Sequence, residues 1–273
     1  MKRLAFLLLL FALPVFAGTS TPAKVPWFRS IDQAFAESRK TGKPVFVDAF
    51  ADWCGWCHQL DKDVYSDPRF VKYIDRYVPL KVDVEDNGEG THFAGKYGIT
   101  NLPTLLVLNP AGELTNRIGG FMNTAPLVQD LDDIQKLVER VQKNPGDITA
   151  AYELADEYMT REMNSQAEKL FSRVLASTSA SVSQKESSQF SIALAQYYLQ
   201  NYDGALASLE KYEATYKNGQ SDEDALLLLS EIHLERNATD KARYYLEEFL
   251  KKYPNSGNVN RAHQVLSTLE SSN

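Results

Sequence analysis

The stretch Val45-Phe46-Val47-Asp48-Ala49-Phe50-Ala51-Asp52-Trp53-Cys54-Gly55-Trp56-Cys57-His58 decides how this chain is to be read. Its first six residues are β-branched, aromatic or small, with one acid among them, and read as a buried strand. Two cysteines three positions apart follow directly, at the place where a helix would open. A cysteine at a helix N-terminus faces unsatisfied amides and the positive end of the dipole, which favour the thiolate. The second cysteine, one turn on, lies within bridging distance and can resolve a mixed disulfide. Gly55 and Trp56 between them do not conflict with an opening helical turn.

Working outward, the segment from Trp27 to about Val141 alternates strand-like and helical patterns. Ile31 to Lys40 places Ile31, Ala34, Phe35 and Ser38 on one helical face, and Thr41-Gly42-Lys43-Pro44 stops it. Phe70 to Tyr77 is helical, and Tyr77 to Val84 is a second strand. Thr104 to Leu108 is a third, closed by the turn Asn109-Pro110-Ala111-Gly112, with Glu113 to Ile118 returning as its hairpin partner. Gly119-Gly120 interrupts that strand, and Ala125 to Val141 is a closing helix. Such alternation predicts an α/β sheet with helices on both faces.

After Asn144-Pro145-Gly146 only helical patterns remain. Leu154-Ala155-x-x-Tyr158 and Ala167-x-x-x-Phe171 have the small-residue and aromatic spacing of a helix pair. The pattern echoes at Ala205-x-x-x-Leu209 and Ala242-x-x-x-Leu246, with Pro254 closing the last unit. The three alanines are 38 and 37 residues apart, slightly more than the ~34 usual for tetratricopeptide repeats, which this half resembles. Its second unit fits only with a slipped first helix. The expected organisation is a leader at 1–17, a linker at 18–26, an α/β domain at 27–142 and an all-α repeat domain at 145–273.

Of 273 residues, 29 are Lys or Arg and 36 are Asp or Glu, a net charge of −7. That balance argues against a nucleic-acid partner, which needs cations for its phosphates. Two cysteines form no disulfide framework and no self-sufficient zinc site. The opening MKRLAFLLLLFALPVFA combines Lys2 and Arg3, an apolar stretch and Val15-x-Ala17, the pattern of a cleaved export signal. No later apolar run is long enough to span a bilayer, so the expected location is periplasmic or otherwise extracytoplasmic. Asn237-Ala238-Thr239 fits a glycosylation acceptor by its residue types alone.

The segment Val47 to Cys57 resembles the strand and active site of thioredoxins, and Gly98-Ile99-x-x-Leu102-Pro103-Thr104 resembles their proline loop. Tyr65-Ser66-Asp67-Pro68 after the active-site helix and Gly120-Phe121-Met122 bring it closer to the C-terminal thioredoxin-like domain of DsbD-type thiol:disulfide interchange proteins. The resemblance covers about 115 residues and implies an α/β thioredoxin fold, a central mixed sheet flanked by helices. It makes Cys54 the attacking thiol, Cys57 the resolving thiol, Asp48 the buried acid that takes or relays the second cysteine's proton, and Pro103 the cis-proline facing the disulfide. Trp53, Gly55, Trp56, Leu102 and Thr104 become the substrate-facing surface, with the backbone of Leu102 pairing with an extended substrate. Lys81 aligns with a basic residue near the acid in some thioredoxins, although a strand lysine ordinarily reads as solvated. His58 reads as a solvated first-turn residue. Gly55-Trp56 departs from the Gly-Pro of ordinary thioredoxins, so the redox potential does not carry over.

The function expected is that of an exported thiol:disulfide oxidoreductase needing neither organic cofactor nor metal; reduction is the favoured direction, and the same pair could also oxidise or isomerise, depending on its potential and partner. Its partners would be protein disulfides, an extracytoplasmic thiol donor or acceptor, and a protein held by the helical repeats. One alternative is a non-enzymatic adaptor with a redox-inert domain. The other is c-type haem attachment at Cys54-x-x-Cys57-His58, with His58 and Met122 as axial ligands.

Overall fold

The computed structural model describes residues 24–216 and 218–271. The leader expected at 1–17 lies outside them, as does most of the expected linker. The linker reading fails for its last residues, because Val25 is already buried in the core.

Ser30 caps α1 (Ile31–Thr41) by accepting the amide of Gln33. There follow β1 (Val45–Phe50), α2 (Gly55–Asp63), α3 (Pro68–Tyr73) with a short 3-10 turn, β2 (Val78–Asp83), α4 (Glu89–Tyr97), β3 (Thr104–Leu108), β4 (Leu114–Gly119) and α5 (Thr124–Lys143). The sheet order is β2-β1-β3-β4. β2 runs parallel to β1, β3 antiparallel to β1, and β4 antiparallel to β3. Being central and covered on both faces, β1 buries Val45 to Ala49 completely, which is why its sequence does not alternate. Phe46 packs on one face with Leu60, Phe70, Leu127 and Leu131, from α2, α3 and α5. Val45 and Val47 pack on the other with Ala34 and Phe93, from α1 and α4. By the two-residue period of a strand, Asp48 shares the face of Phe46, under α2.

The helix α4 has no counterpart in the sequence expectation. Within it Gly90 answers a packing demand: a Cβ on it would lie 1.8 Å from the carbonyl oxygen of Asp83. Elsewhere the expected bounds shift by one or two residues.

The second half is α6 (Ile148–Thr160), α7 (Asn164–Ala176), α8 (Val182–Tyr198), α9 (Tyr202–Tyr216), α10 (Asp222–Glu235), α11 (Thr239–Lys252) and α12 (Val259–Ser271). These form three hairpins and a closing helix. Ala167, Ala205 and Ala242 are fully buried, as close helix crossing requires. The turn inside each hairpin carries one left-handed residue, Glu162, Gln200 and Asn237, the last of them the possible glycosylation acceptor. The slipped register of the middle unit follows from α8, whose 17 residues compare with 13 in α6 and 14 in α10.

The two halves share a core, since Ile134 and Val138 of α5 pack with Leu154, Ala155 and Tyr158 of α6. Arg161, just beyond α6, reinforces the junction. It pairs with Asp130 at 2.8 Å and Glu157 at 3.0 Å, and donates to Asn116 at 3.2 Å. Tyr158 donates to the carbonyl of Thr115. Among the described residues, no helix is long and apolar enough to cross a membrane.

Candidate active site

β1 delivers the chain to α2 through Ala51 to Cys54, and Cys54 becomes the N-cap of that helix. Its sulfur accepts the amide of Cys57 at 3.1 Å, so the helix end acts on this sulfur directly. Cys54 and Cys57 are joined as a disulfide with Cα atoms 5.3 Å apart. Both are buried, while the residues around them are not: Trp53 is 69% and Trp56 62% exposed. Trp53 is held by its indole N–H, which donates to Glu85 at 2.8 Å. Trp56 rests on Phe121 with ring centroids 5.5 Å apart. Gly55 is open, with nothing within 4 Å of where a Cβ would stand.

The Leu102–Pro103 peptide bond is cis. The carbonyl of Pro103 is fixed by the amide of Gly120 at 2.8 Å. Gly120 has φ +79, which a residue with a Cβ adopts only under strain. The sequence interruption after β4 therefore anchors the proline loop. Leu102 is partly exposed at the loop's edge. Thr104 is a correction. It is fully buried, its hydroxyl donates to the carbonyl of Asn101 at 2.8 Å, and its backbone sits between β1 and β4. Its side chain builds the loop instead of standing exposed beside the disulfide.

Beneath the helix, Asp48 is completely buried and neither carboxylate oxygen accepts a well-aligned hydrogen bond. Burial raises its pKa from the usual carboxylate value to about 6, the positive charge of Lys81 opposing the shift and Asp61 adding to it. Lys81 overturns the solvated reading. It stands opposite Asp48 in the β1–β2 register, is 5% exposed, and holds Nζ 3.3 Å from Asp48 while bonding Asp61 closely. Phe50, Tyr65 and Trp27 surround the ammonium, with ring centroids 5.1, 5.5 and 5.8 Å away, an apolar cage that still stabilises a cation.

Asp61 and Tyr65 are the groups that sequence reasoning missed. Asp61 lies four residues after Cys57, on the same face of α2, and links that face through Lys81 to Asp48. The Tyr65 hydroxyl is buried beside Asp48 without a well-aligned hydrogen bond to it. Burial, then the charges of Asp48 and Asp61, push its pKa well above the ordinary phenol value. The i+4 spacing from Cys57 was the available signal for Asp61; nothing local marked Tyr65 or Trp27.

The haem alternative does not fit the donor set. The Nε2 of His58 lies 2.8 Å from the carbonyl oxygen of Asp52, and Met122 packs against the core beneath α2. The Nε2 of His58 is thus engaged, and the two sulfurs that would carry the haem are joined to each other. No group of three or more metal-ligating side chains occurs among the described residues.

Residues 31–135 match the family model of a thioredoxin-like domain, and residues 224–256 that of a tetratricopeptide repeat. The thiol:disulfide interchange protein DsbD of Salmonella typhimurium is 33% identical over 108 residues, 38% of this chain and 19% of that protein. DsbD 1 of Pseudomonas aeruginosa is 31% identical over 115 residues, 41% of this chain and 18% of that one. This chain thus spans about one fifth of the length of these curated relatives. Among solved structures, the oxidised C-terminal domain of Neisseria meningitidis DsbD is 20% identical and covers 39% of this chain and 97% of its own, at a TM-score of 0.36.

Proposed function

We propose, for a chain whose residues 31–135 form a thioredoxin-like domain and whose residues 224–256 form a tetratricopeptide repeat, that it is a thiol:disulfide oxidoreductase acting on protein disulfides. The observation that carries this is the Cys54–Cys57 disulfide at the N-terminus of α2, over a buried, under-solvated acid. In the reductase direction the reduced pair donates two electrons. The Cys54 thiolate attacks one sulfur of a substrate disulfide; a bond forms between Cys54 Sγ and that sulfur, and the other substrate sulfur leaves as a thiolate. Cys57 then loses its proton and attacks Cys54 Sγ, forming the intramolecular disulfide and releasing the second substrate thiolate.

Asp48 suits the proton step because a carboxyl titrating at about 6 is mostly ionised at neutral pH, yet basic enough to accept a thiol proton. Lys81 and Asp61 set its basicity in opposite senses. The exposed Trp53 and Trp56, with the edge of Leu102, form the surface a substrate segment meets. An extended segment would lie against Leu102, whose backbone has no partner among the described residues. On this reading the electron donor is a separate thiol protein, and the repeats hold a protein partner.

Cys57→Ser leaves the attacking thiol without its resolver. Incubated reduced with a disulfide-containing protein such as insulin, it should accumulate a mixed disulfide on non-reducing gels, which Cys54→Ser should not. No adduct under conditions in which wild type reduces insulin would contradict the assigned roles. Wild type that reduces nothing would favour a redox-inert adaptor.

A further inference from the structure

Beside the proline loop, the first helical hairpin closes a cavity of about 360 Å³. Asn101 and Thr104 bound it from the loop, Arg117 and Met122 from β4 and the segment after it, and Arg161 and Glu162 from the turn between α6 and α7. This places the turn between α6 and α7 beside the proline loop. Asn101 immediately precedes the cis Leu102–Pro103 pair, and Met122 follows Phe121, on which Trp56 rests. The wall contributed by the repeats is fixed, since Arg161 is tied to Asp130, Glu157 and Asn116.

The charges lining the cavity are not all matched. Asp130 is taken by Arg161 at 2.8 Å. Arg117 spends its terminal nitrogens on the carbonyls of Tyr97 and Gly98, at the C-terminal end of α4, and its buried Nε has no partner. No carboxylate among the described residues forms an ion pair with it, and Glu162 acts on it only at a distance. The guanidinium is half-buried and bonded to the end of a helix but to no carboxylate, so an incoming carboxylate would add the charge-assisted pairing it lacks.

From this we infer that the cavity is a subsite of the redox centre, taking an acidic residue close in sequence to the reacting cysteine of a substrate polypeptide, with Arg117 as the determinant and the turn at Arg161–Glu162 as the opposite wall. The inference rests on the oxidoreductase function proposed above and adds a substrate class to it. It also gives the first repeat a direct part in substrate choice. The overall charge of −7 makes the expectation specific. The long-range field of the chain attracts cationic segments, so a preference for acidic ones has to arise locally.

The test uses the reduced full chain and three short peptides, each with one cysteine flanked on both sides by Asp, Ser or Lys and held as a mixed disulfide with 2-mercaptoethanol. In each exchange Cys54 bonds to the peptide or mercaptoethanol sulfur and the other thiol is released. Rates are followed by tryptophan fluorescence at fixed ionic strength. Wild type should react with the Asp peptide about tenfold faster than with the Lys peptide. In Arg117→Gln that ratio should fall to about two or below, Arg117→Lys should restore part of it, and Glu162→Gln should raise it. Thermal midpoints accompany each variant; if Arg117→Gln does not fold, the wild-type ratio and Glu162→Gln decide. Equal rates for the three peptides, a faster Lys peptide, or a ratio unchanged in Arg117→Gln would overturn the subsite while leaving the redox function intact. Failure of wild type to exchange with any peptide would instead remove the function on which it rests.

Discussion

Both halves of this chain bury carboxylates, and they treat them in opposite ways. In the repeats, Glu186 is 8% exposed and accepts the Tyr212 hydroxyl at 3.1 Å together with the amides of Gln220 and Ser221. Nearby, Asp222 is bound by Lys252, by the Tyr253 hydroxyl at 2.7 Å and by the amide of Asn218. In the thioredoxin-like half, Asp48 is fully buried with one ion-pair partner and no aligned donor. A saturated acid holds the loop between α9 and α10 in place. An unsaturated one is held near its titration point, where it can exchange a proton. Hydrogen-bond supply thus separates a structural acid from a functional one, where burial alone would not.

The contrast can be broken most forcefully at Asp48. Its folded pKa of about 6 lies above the 3.8 of an exposed aspartate, so the fold favours the protonated form. The stability this brings is fully present below pH ~4 and is lost as the pH rises through 6. Above that, the ionised group costs about 3 kcal/mol. Asp48→Asn should therefore be more stable than wild type at pH 8 by up to that amount and no more stable at pH 3.5, measured by denaturant unfolding. The same variant should slow resolution of the mixed disulfide at neutral pH. A variant destabilised at pH 8 would mean that Asp48 is a structural acid like Glu186.

The opposite sign is expected in the repeats. Glu186→Ala removes an acceptor shared by three donors and should destabilise the chain by about 2 kcal/mol, with the rate of insulin reduction per folded molecule unchanged. A smaller effect belongs to Tyr65→Phe. Deleting a hydroxyl that faces Asp48 removes an interaction that lowers the acid's pKa. The pH midpoint of the resolving step should move upward, with little change in unfolding free energy. A midpoint that stays in place would detach Tyr65 from the acid.

The sequence made one layer of this legible and hid another. The non-alternating run at Val45 to Phe50 was readable because a strand covered on both faces has no polar side to show. The cysteine pair was readable because helix-start chemistry is local. Buried alanines repeating every 37 or 38 residues exposed the hairpins. Lys81 was misread because lysines are normally solvated, and only the β1–β2 register sets it against Asp48. Its cage comes from Trp27, Phe50 and Tyr65, three separate places in the chain. The α4 helix was hidden by its glycines, of which Gly90 is needed for close approach, and Thr104 looked accessible because a motif match does not say which way a side chain turns. The wall formed by Arg161 and Glu162 depends on how α6 docks on α5, a contact no periodicity reveals.

The central claim, that Cys54 and Cys57 are a working dithiol, is tested most directly by reduction of insulin disulfides with a thiol donor, followed by turbidity. Wild type should accelerate precipitation well above the donor alone, and Cys54→Ser should fall to the donor's own rate. Equal rates for wild type, Cys54→Ser and the donor alone would contradict it.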